Sequence, residues 1–284
     1  LSRTCGLSYS SPVLIMSSTE KFSRLLPAIH GGKWGSRLVH NKWIQRAVVW
    51  GSFIVLYELA ALGTGEFFLP RVGQILVGSI ELAQEGWGST LAGSLNQMLL
   101  GFSLAIAVGI PVGLVMGMWR VMDYVVGMYV NALFVMSLVA LLPLLIIIFG
   151  VDIEFRISVV FLFSVFFIIL STADGVREVD RRLLWVATSF NAGPIKRFTT
   201  VVIPSSFPFI IAGLRLGLAN AFSGMILAEL WVVRDTGELL LQLGHNRDLP
   251  KFFALILTVT LVASLAAALL KALERRLTPW SRVR

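Results

Sequence analysis

Residues 89–118 read STLAGSLNQMLLGFSLAIAVGIPVGLVMGM and contain no Asp, Glu, Lys or Arg. An α-helix needs about 20 mostly apolar residues to cross the ~30 Å hydrocarbon core of a bilayer. This stretch is therefore predicted to be a transmembrane helix, and its length allows it to tilt or bend.

Five further stretches are long and apolar enough to cross a membrane. They are residues 43–62, 124–149, 156–173, 206–232 and 252–270. Kinks are expected at Pro111 and Pro143, because a proline inside a helix removes a backbone N–H and crowds the preceding turn. The sequence thus predicts an all-α, polytopic membrane protein with six transmembrane helices.

The composition of the whole chain agrees with this fold class. Of its 284 residues, 56% are hydrophobic and 14% are charged, with a mean hydropathy of +0.82, whereas a soluble domain carries about 25% charged residues. Such hydrophobicity excludes a disordered chain, and the single cysteine, Cys5, excludes an intrachain disulfide scaffold.

No catalytic or metal-binding site is predicted in this chain. Its three histidines, His30, His40 and His245, all lie outside the predicted spans, whereas a zinc site or a histidine-based triad needs such residues to converge. The nucleotide-binding pattern G-x-x-x-x-G-K-[ST] does not occur in the sequence. Any nucleotide hydrolysis is therefore expected on another polypeptide.

The distribution of Lys and Arg predicts that both termini lie in the cytoplasm. If the N-terminus is inside, 18 of the 24 basic residues fall on the cytoplasmic side. The opposite side holds five, namely Arg71, Arg156, Arg234, Arg247 and Lys251, and one more, Arg215, lies within a span. Because cytoplasmic loops are enriched in basic residues, the net charge of +8 is interpreted as a topology signal.

The transmembrane domain is assigned to residues 43–275. It lies between a cytoplasmic N-terminal segment, residues 1–42, and a cytoplasmic tail, residues 276–284. Since the first methionine is Met16, residues 1–15 are interpreted either as an extension upstream of the natural start or as part of the protein.

A short interfacial helix is predicted on the outer side, between the first two spans. It is expected to run from Pro70, in its first turn, to about Glu85. Apolar residues recur there near helical spacing at Val72, Ile75, Leu76, Ile80 and Leu82.

Small residues in two spans predict close helix packing. They are Gly101, Ala105, Gly109, Gly113 and Gly117 in the second span and Gly213, Gly217 and Ala221 in the fifth. A small residue at every fourth position lets helix backbones approach closely in lipid. The stripes are interpreted either as packing within one chain or as a seam between two chains.

The fifth span contains two charged residues, Arg215 and Glu229. Because a charge at the bilayer centre costs about 2.5–3.5 kcal/mol on insertion scales, each is expected to face protein or a water-filled cavity. Arg215 is expected near the cytoplasm, either capping a neighbouring helix or loop or acting on an anion path. Glu229 is expected near the outer mouth, about 21 Å farther along the helix. It is interpreted either as a structural residue or as part of the translocation path.

The polar stretch 174–205 is predicted to form a helix–turn–helix knob in the cytoplasm. Residues 185–190 form its first short helix, and Asn191-Ala192-Gly193 ends that helix because Asn and Gly tolerate the left-handed conformation. Pro194 suits the first turn of a second helix, 195–202. This helix is expected to end before Pro204, and Pro208 is expected to open the fifth span.

The sequence of this loop resembles that of the membrane permease subunits of ATP-binding-cassette (ABC) importers, in particular the nitrate, sulfonate and taurine family. The loop of that family follows the pattern E-A-A-x-x-x-G and ends in a hydrophobic-x-L-P segment, before a span containing G-L-R-x-G-L and A-E. The matching segments here are Trp185-Val186-Ala187, Asn191, Val202-Ile203-Pro204, Gly213-Leu214-Arg215-Leu216-Gly217-Leu218 and Ala228-Glu229. Trp185 stands at the acidic position of the pattern, and Asn191 stands at its glycine.

Further similarity covers nearly everything from residue 43 onward. The segments that carry it are Phe68-Leu69-Pro70, Gly109-Ile110-Pro111-Val112-Gly113, Leu142-Pro143-Leu144 and Leu273-Glu274-Arg275-Arg276-Leu277-Thr278-Pro279-Trp280. The resemblance implies a type I ABC importer permease of a bacterial inner membrane. It also implies ATP-driven uptake of a small anion of the nitrate, sulfonate, taurine or bicarbonate kind.

The same resemblance implies the partners and the functional residues. The chain itself would be non-catalytic and hold no cofactor, while ATP and Mg would bind to two copies of a partner ATPase subunit. A second permease copy, forming a homodimer, and an extracytoplasmic solute-binding protein complete the expected assembly. The implied ATPase-coupling residues are Trp185, Val186, Ala187, Phe190, Asn191, Ala192, Gly193, Pro194 and Pro204. Candidates for the translocation path are Arg215, Glu229, Ser137 and Met136.

Two other classes of function are weighed against an importer. An ion-coupled secondary transporter or channel would use Glu229 and Glu58 as ion or proton sites, but it leaves the loop without a purpose, and the sequence has no inverted repeat. An intramembrane hydrolase would depend on Ser223-Gly224 without a histidine in any span to act as base. Dependence on ATP or on a proton gradient distinguishes the first alternative from an importer.

Overall fold

In the computed structural model, residues 42–64 and 68–277 are described, and this part of the chain is helical apart from short connections. The predicted cytoplasmic segment, except for Lys42, and residues 278–284 of the predicted tail lie outside the described residues. The described residues divide into two units, one ending at Leu59 and the other beginning at Ala60.

The described part of the first unit is residues 42–59 of helix α1 (Lys42–Thr64), which corresponds to the first predicted span. The apolar stretch of α1, Val48–Gly63, is shorter than the usual length of a membrane-crossing helix. Its aromatic residues Trp50 and Phe53 are exposed and meet edge to face, with ring centroids 6.5 Å apart.

The described residues of the second unit form ten further α-helices. These are α2 (Val72–Gln84), α3 (Gly88–Met118), α4 (Arg120–Val135), α5 (Leu142–Phe149), α6 (Ile153–Arg177), α7 (Arg181–Ser189), α8 (Pro194–Arg197), α9 (Ile203–Val232), α10 (Asp235–His245) and α11 (Leu249–Leu277). A 3₁₀ turn, Leu138–Leu141, precedes α5, and a π-helical turn, Phe198–Val202, joins α8 to α9.

Four helical runs in the described residues are long and apolar enough to cross a membrane. They are α3, α6, the continuous run Pro194–Val232 and Leu249–Arg276 of α11, and α4 with α5 makes a fifth if the bent pair is one span. These runs contain or extend four of the predicted spans, so the prediction of a helical, polytopic membrane protein is confirmed. By length and composition, the described residues thus contain four or five helices that could cross a membrane, whereas the sequence predicts six. The first predicted span does not qualify, because the apolar part of α1 is short.

The third predicted span, 124–149, is not one continuous helix. α4 ends at Val135, and the two helical segments meet at an angle of 93°. Met136 has an extended backbone, with φ −65° and ψ 141°, so helical hydrogen bonding stops there. The kink predicted at Pro143 is therefore wrong in position, because this proline lies in the first turn of α5, where a missing N–H is tolerated. α3, by contrast, continues as one helix through Pro111.

Helix α6 is the centre of the second unit, because α3 and α9 both pack along it. A Cβ atom added at the stripe glycines of α3 would lie 2.6–2.9 Å from atoms of α6; these are Gly101, Gly109, Gly113 and Gly117. Their contacts advance along α6 from Val160 to Val176, so the two helices run parallel. The stripe therefore packs within one chain.

The glycines of α9 make a second seam on α6. Gly213 lies against Ser171, Gly217 against Ile168 and Gly224 against Phe163. Because the contacts retreat along α6 as α9 advances, these two helices run antiparallel. The three helices α3, α6 and α9 thus pack at close backbone distance, which suits rigid-body movement.

The short helix α2 packs near the end of the bundle where α3 and α6 begin. It starts at Val72, and Pro70 precedes the helix instead of lying in its first turn as predicted. Gly78 lies against α11, where an added Cβ would be 3.0 Å from the carbonyl carbon of Pro250. Lys251 adds an ion pair to the end of α2, with its Nζ 2.6 Å from Glu85 Oε1.

Candidate functional site

The predicted knob is present as two short helices joined by a tight turn. Its first helix, α7, begins four residues before the predicted start at 185. The cause is Asp180, whose side chain accepts a 2.8 Å hydrogen bond from the backbone N–H of Arg182 and so caps the helix. We refer to residues 181–197 as the knob.

The turn of the knob is a Schellman motif centred on Asn191. Asn191 has φ +54°, the left-handed conformation expected of it. Its N–H donates to the carbonyl of Thr188 at 2.8 Å, and the N–H of Ala192 donates to the carbonyl of Ala187 at 3.0 Å. These two bonds satisfy carbonyls that the end of α7 would otherwise leave free.

Gly193 and Pro194 start the second helix of the knob. Gly193 has φ −63° and ψ 167°, an extended conformation open to any residue, and an added Cβ would meet nothing within 4 Å. Pro194 is the first residue of α8, as predicted. The backbone of the turn therefore depends on Asn191 and not on Gly193.

A side-chain hydrogen bond ties the two helices of the knob together. Arg197 on α8 donates from Nη1 to Thr188 Oγ1 on α7 at 3.2 Å. This bond was not predicted from the sequence, since no spacing rule connects residues nine apart across a turn. The bond adds a direct side-chain contact between the two helices of the knob.

The outer surface of the knob is apolar and aromatic with basic residues beside it. Trp185, Phe190 and Ile195 are 68%, 83% and 79% exposed, while Ala187 is half-buried. The basic residues are Arg181, Arg182, Lys196 and Arg197. Several large apolar side chains exposed within one short segment indicate an interaction surface.

The knob is continuous with the fifth predicted span, which corrects two predictions. The helix that starts at Pro194 does not end before Pro204 but runs through the π-helical turn into α9. Pro204 lies in the first turn of α9 and Pro208 lies inside it, so Pro208 does not open the span. A π turn is a frequent site of helix bending, and here it directly precedes the first turn of α9, which contains Pro204.

Arg215, the cation within the fifth span, is paired with another helix. Its Nη2 lies 3.4 Å from Oε2 of Glu274 near the end of α11, and its side chain is 38% exposed. Both residues lie toward the end of the bundle that carries the knob, where α9 begins and α11 ends. The ion pair is a structural contact between two spans.

Glu229, the anion within the fifth span, is 1% exposed and contacts the start of α10. Its Oε2 accepts a 3.2 Å hydrogen bond from the backbone N–H of Gly237. The helices approach so closely that a Cβ on Gly237 would lie 2.4 Å from the carbonyl carbon of Glu229. Glu229 thus faces protein, as expected, and caps the N-terminus of a neighbouring helix.

Two further contacts hold the first turn of α10 against the bundle. The hydroxyls of Ser94 on α3 and Thr236 are 2.9 Å apart, and Arg156 on α6 pairs with Asp235. The helix α10 was not predicted from the sequence. The available signal was an acidic first turn, Asp235 and Glu238, before a leucine run. α3, α6 and α9 therefore each contribute one contact to the same turn.

The remaining path candidates lie at the break between α4 and α5. Met136 and Ser137 are both exposed there, and the neighbouring Phe134 packs edge to face on Phe167 of α6, with ring centroids 5.2 Å apart. Of the residues behind the alternative functions, Glu58 lies half-buried in α1. Ser223 Oγ donates weakly to the carbonyl of Ala219 at 3.4 Å.

The described residues thus form an apolar helical bundle of a multi-pass membrane protein, with an exposed basic knob at one end. The family described as binding-protein-dependent transport system inner membrane component matches residues 109–279. The chain therefore belongs to this family, whose relatives are ABC transporter permeases, and the resemblance inferred from the sequence is confirmed.

Individual relatives support the same conclusion. A probable ABC transporter permease protein of Brucella melitensis is 34% identical over 220 residues, 76% of this chain and 89% of the relative. The taurine transport system permease protein of Escherichia coli is 29% identical over 239 residues, 82% and 85% of the two chains. The putative aliphatic sulfonates transport permease protein of Bacillus subtilis is 28% identical over 188 residues, 66% and 68% of the two chains.

Proposed function

We propose that this chain forms the translocation path of an ATP-driven importer and that a separate ATPase subunit binds the knob. The observation that carries the proposal is the knob itself, which exposes Phe190 and Ile195, is braced by Arg197 and continues directly into α9. An apolar surface of this kind is costly to leave in water, and a partner that covers it can move it.

Movement of the knob has a physical route to the spans. The ATPase subunits, two copies binding ATP and Mg, would displace α7 and α8 as they close. The displacement would pass through the π turn into α9 and then, across the glycine seam, into α6 and α3. Each ATPase state must favour a different permease conformation, since otherwise no equilibrium shifts.

The other proposed partners follow from the family and from the charge distribution. The family description, binding-protein-dependent, supports an extracytoplasmic solute-binding protein. A second copy of this chain would complete the path as a homodimer. The excess of basic residues on one side supports placing both termini and the knob in the cytoplasm.

We propose a small anion, of the sulfonate, taurine, nitrate or bicarbonate kind, as the solute. The support comes from the relatives named for taurine and for aliphatic sulfonates. Arg215 adds little to it, since its charge is shared with Glu274. Met136 and Ser137, exposed at the break in the third span, remain the candidates for lining the path, while Glu229 contributes by holding α10.

The proposal is tested by purifying the full chain from its native membranes in mild detergent and assaying what accompanies it. We expect a nucleotide-binding subunit and ATPase activity. Phe190→Glu should abolish recovery of that subunit, because the substitution places a charge in the docking surface without disturbing the packing of an 83% exposed side chain.

Phe190→Leu is the matched control, because it keeps an apolar side chain at the same position. Recovery of the ATPase subunit with Phe190→Leu but not with Phe190→Glu supports the docking role. A wild-type chain that purifies without any nucleotide-binding subunit, yet moves solute down an ion gradient in liposomes, would instead support the secondary transporter and contradict the proposal.

A further inference from the structure

We propose that a cleft beside the knob binds a phosphate-type anion, supplied by the headgroup of an anionic phospholipid. The cleft has a volume of ≈ 540 Å³ and lies where α3 meets α4 and where α6 meets α7. Arg120, Arg177 and Arg181 line it together with one acidic residue, Asp123. We call it the inner cleft.

The charge of the inner cleft is positive and incompletely neutralised. Arg177 is paired with Asp123 and with Asp174, the latter at 2.9 Å. Within residues 42–64 and 68–277, by contrast, neither Arg120 nor Arg181 has an ion-pair or hydrogen-bond partner for its side chain. Two guanidinium groups on different helices therefore remain available to one anion, and guanidinium binds phosphate in a bidentate manner.

The inner cleft also has an apolar wall, which favours a lipid over a free anion. Met118, Val179 and Leu184 line it beside the arginines, and Met118 is 41% exposed. A phosphodiester with acyl chains can place its headgroup on the guanidinium groups and its first methylenes on this wall, whereas inorganic phosphate gains only the first contact.

The position of the inner cleft along the spans matches the depth of a headgroup. α3 is a candidate membrane span that ends at Met118, and Arg120 follows it by two residues. Trp119, between them, is 55% exposed, and tryptophan is enriched at the membrane–water interface. Basic pockets between spans at this depth are known to bind anionic headgroups.

The cleft at the opposite end of α3 has the reverse charge. It has a volume of ≈ 490 Å³, and its charged lining residues are Glu85, Asp235 and Glu238. That cleft would repel an anion. The two clefts thus differ in the sign of their charge. The arginines of the inner cleft are therefore a local feature and do not simply follow from the positive net charge of the chain.

A phosphate bound in the inner cleft would connect the knob to the core of the bundle. Arg181 and Leu184 belong to α7, Val202 belongs to the π turn, and Arg120 belongs to the α3–α4 corner. One anion held by Arg120 and Arg181 would therefore restrain the movement of α7 relative to α3. Lipid composition would then modulate how the knob moves, whichever partner drives that movement.

The test is native mass spectrometry of the full chain, released from nanodiscs that contain either phosphatidylglycerol or phosphatidylcholine. We expect the wild type to retain phosphatidylglycerol and not phosphatidylcholine. Arg120→Gln and Arg181→Gln should each weaken that retention about fivefold, the effect of one basic residue near an anionic membrane surface. Arg182→Gln is the matched control, since Arg182 is adjacent on α7 and does not line the cleft.

Each outcome of this test decides the proposal. Equal retention of the two lipids by the wild type overturns it without recourse to any variant, and so does an equal loss with Arg182→Gln. If inorganic phosphate at millimolar concentration displaces the lipid and binds in its place with the same dependence on Arg120 and Arg181, the cleft is an anion site supplied from solution. The lipid source is then wrong. None of these results depends on recovery of an ATPase subunit, so failure here is distinct from failure of the proposed importer.

Discussion

Asn191 gives the knob its shape at the scale of a single residue. Its φ of +54° is uncommon for a residue with a side chain, and Asn is among the few that adopt it at low cost. The loop pattern that the sequence resembles has glycine at this position, and glycine is equally suited to the conformation. The residue type differs while the backbone requirement stays the same.

Replacing Asn191 with valine should open the turn. A β-branched residue in the left-handed region costs about 1–2 kcal/mol relative to the right-handed region, so the N–H groups of Asn191 and Ala192 should lose their bonds to Thr188 and Ala187. Hydrogen exchange at residues 191 and 192 measures this. Asn191→Gly is the control and should exchange as slowly as the wild type. Equal protection in Asn191→Val would show that the turn does not depend on this conformation.

Glu229 acts on α10 through one buried hydrogen bond. Glu229→Ala leaves the Gly237 N–H without its acceptor, which costs about 1–3 kcal/mol for a buried donor. We expect faster amide exchange across the first turn of α10, measured by mass spectrometry. Glu229→Gln keeps a carbonyl oxygen as acceptor and should retain most of the protection. Equal exchange in Glu229→Ala and the wild type would mean that Ser94 and Arg156 suffice to hold α10.

Among the elements, α6 determines how the others are arranged. The glycines of both α3 and α9 lie against α6, so this one helix positions the other two. The spacing of the stripes predicts close packing, but it does not specify the partner helix. That partner is identified by the contacts of Gly101 to Gly117 with residues 157–176.

The α3–α6 seam should be sensitive to a single added methyl group. In Gly113→Ala the new Cβ would lie 2.6 Å from the carbonyl oxygen of Ile169, a backbone atom that has little freedom to move. Overpacking of this kind costs about 1–3 kcal/mol. The expected result is a lower midpoint of thermal unfolding in detergent.

Gly93→Ala is the matched control for the seam. Gly93 lies on the same helix, and a Cβ there meets nothing within 4 Å. Alanine is also the better helix former by about 1 kcal/mol, so Gly93→Ala should leave the midpoint unchanged or raise it. A similar drop for both variants would indicate that α3 tolerates no added bulk anywhere and that the seam is not special.

The helices could be predicted well from the sequence, whereas their interruptions could not. Hydropathy reports the environment of a segment and not its hydrogen bonding, so the apolar run 134–149 concealed the break at Met136. The π turn before Pro204 is hidden for the same reason, since a proline is ordinarily interpreted as a helix boundary. α10 escapes prediction because it is short and amphipathic. Its contacts, Arg156 with Asp235 and Glu229 with Gly237, join residues that no local pattern relates.

At the scale of the whole second unit, the two ends of the bundle differ in chemistry. One end carries the basic, aromatic knob and the inner cleft, and the other carries α2, α10 and an acid-lined cleft. α9 joins them as one helix with the knob at its start and α10 after its end. A displacement of the knob therefore has a continuous, closely packed route to the opposite end, which is what an alternating-access transporter requires.

The most direct test of this account is photo-cross-linking from the knob in native membranes. A photo-reactive phenylalanine analogue at position 190, which is 83% exposed, should cross-link to a nucleotide-binding subunit. The same analogue at Leu76, which is 61% exposed in α2, serves as the control and should not. Cross-linking to that subunit from position 76, or its absence from position 190 when the subunit is present, would contradict the central claim that the knob is the ATPase docking surface.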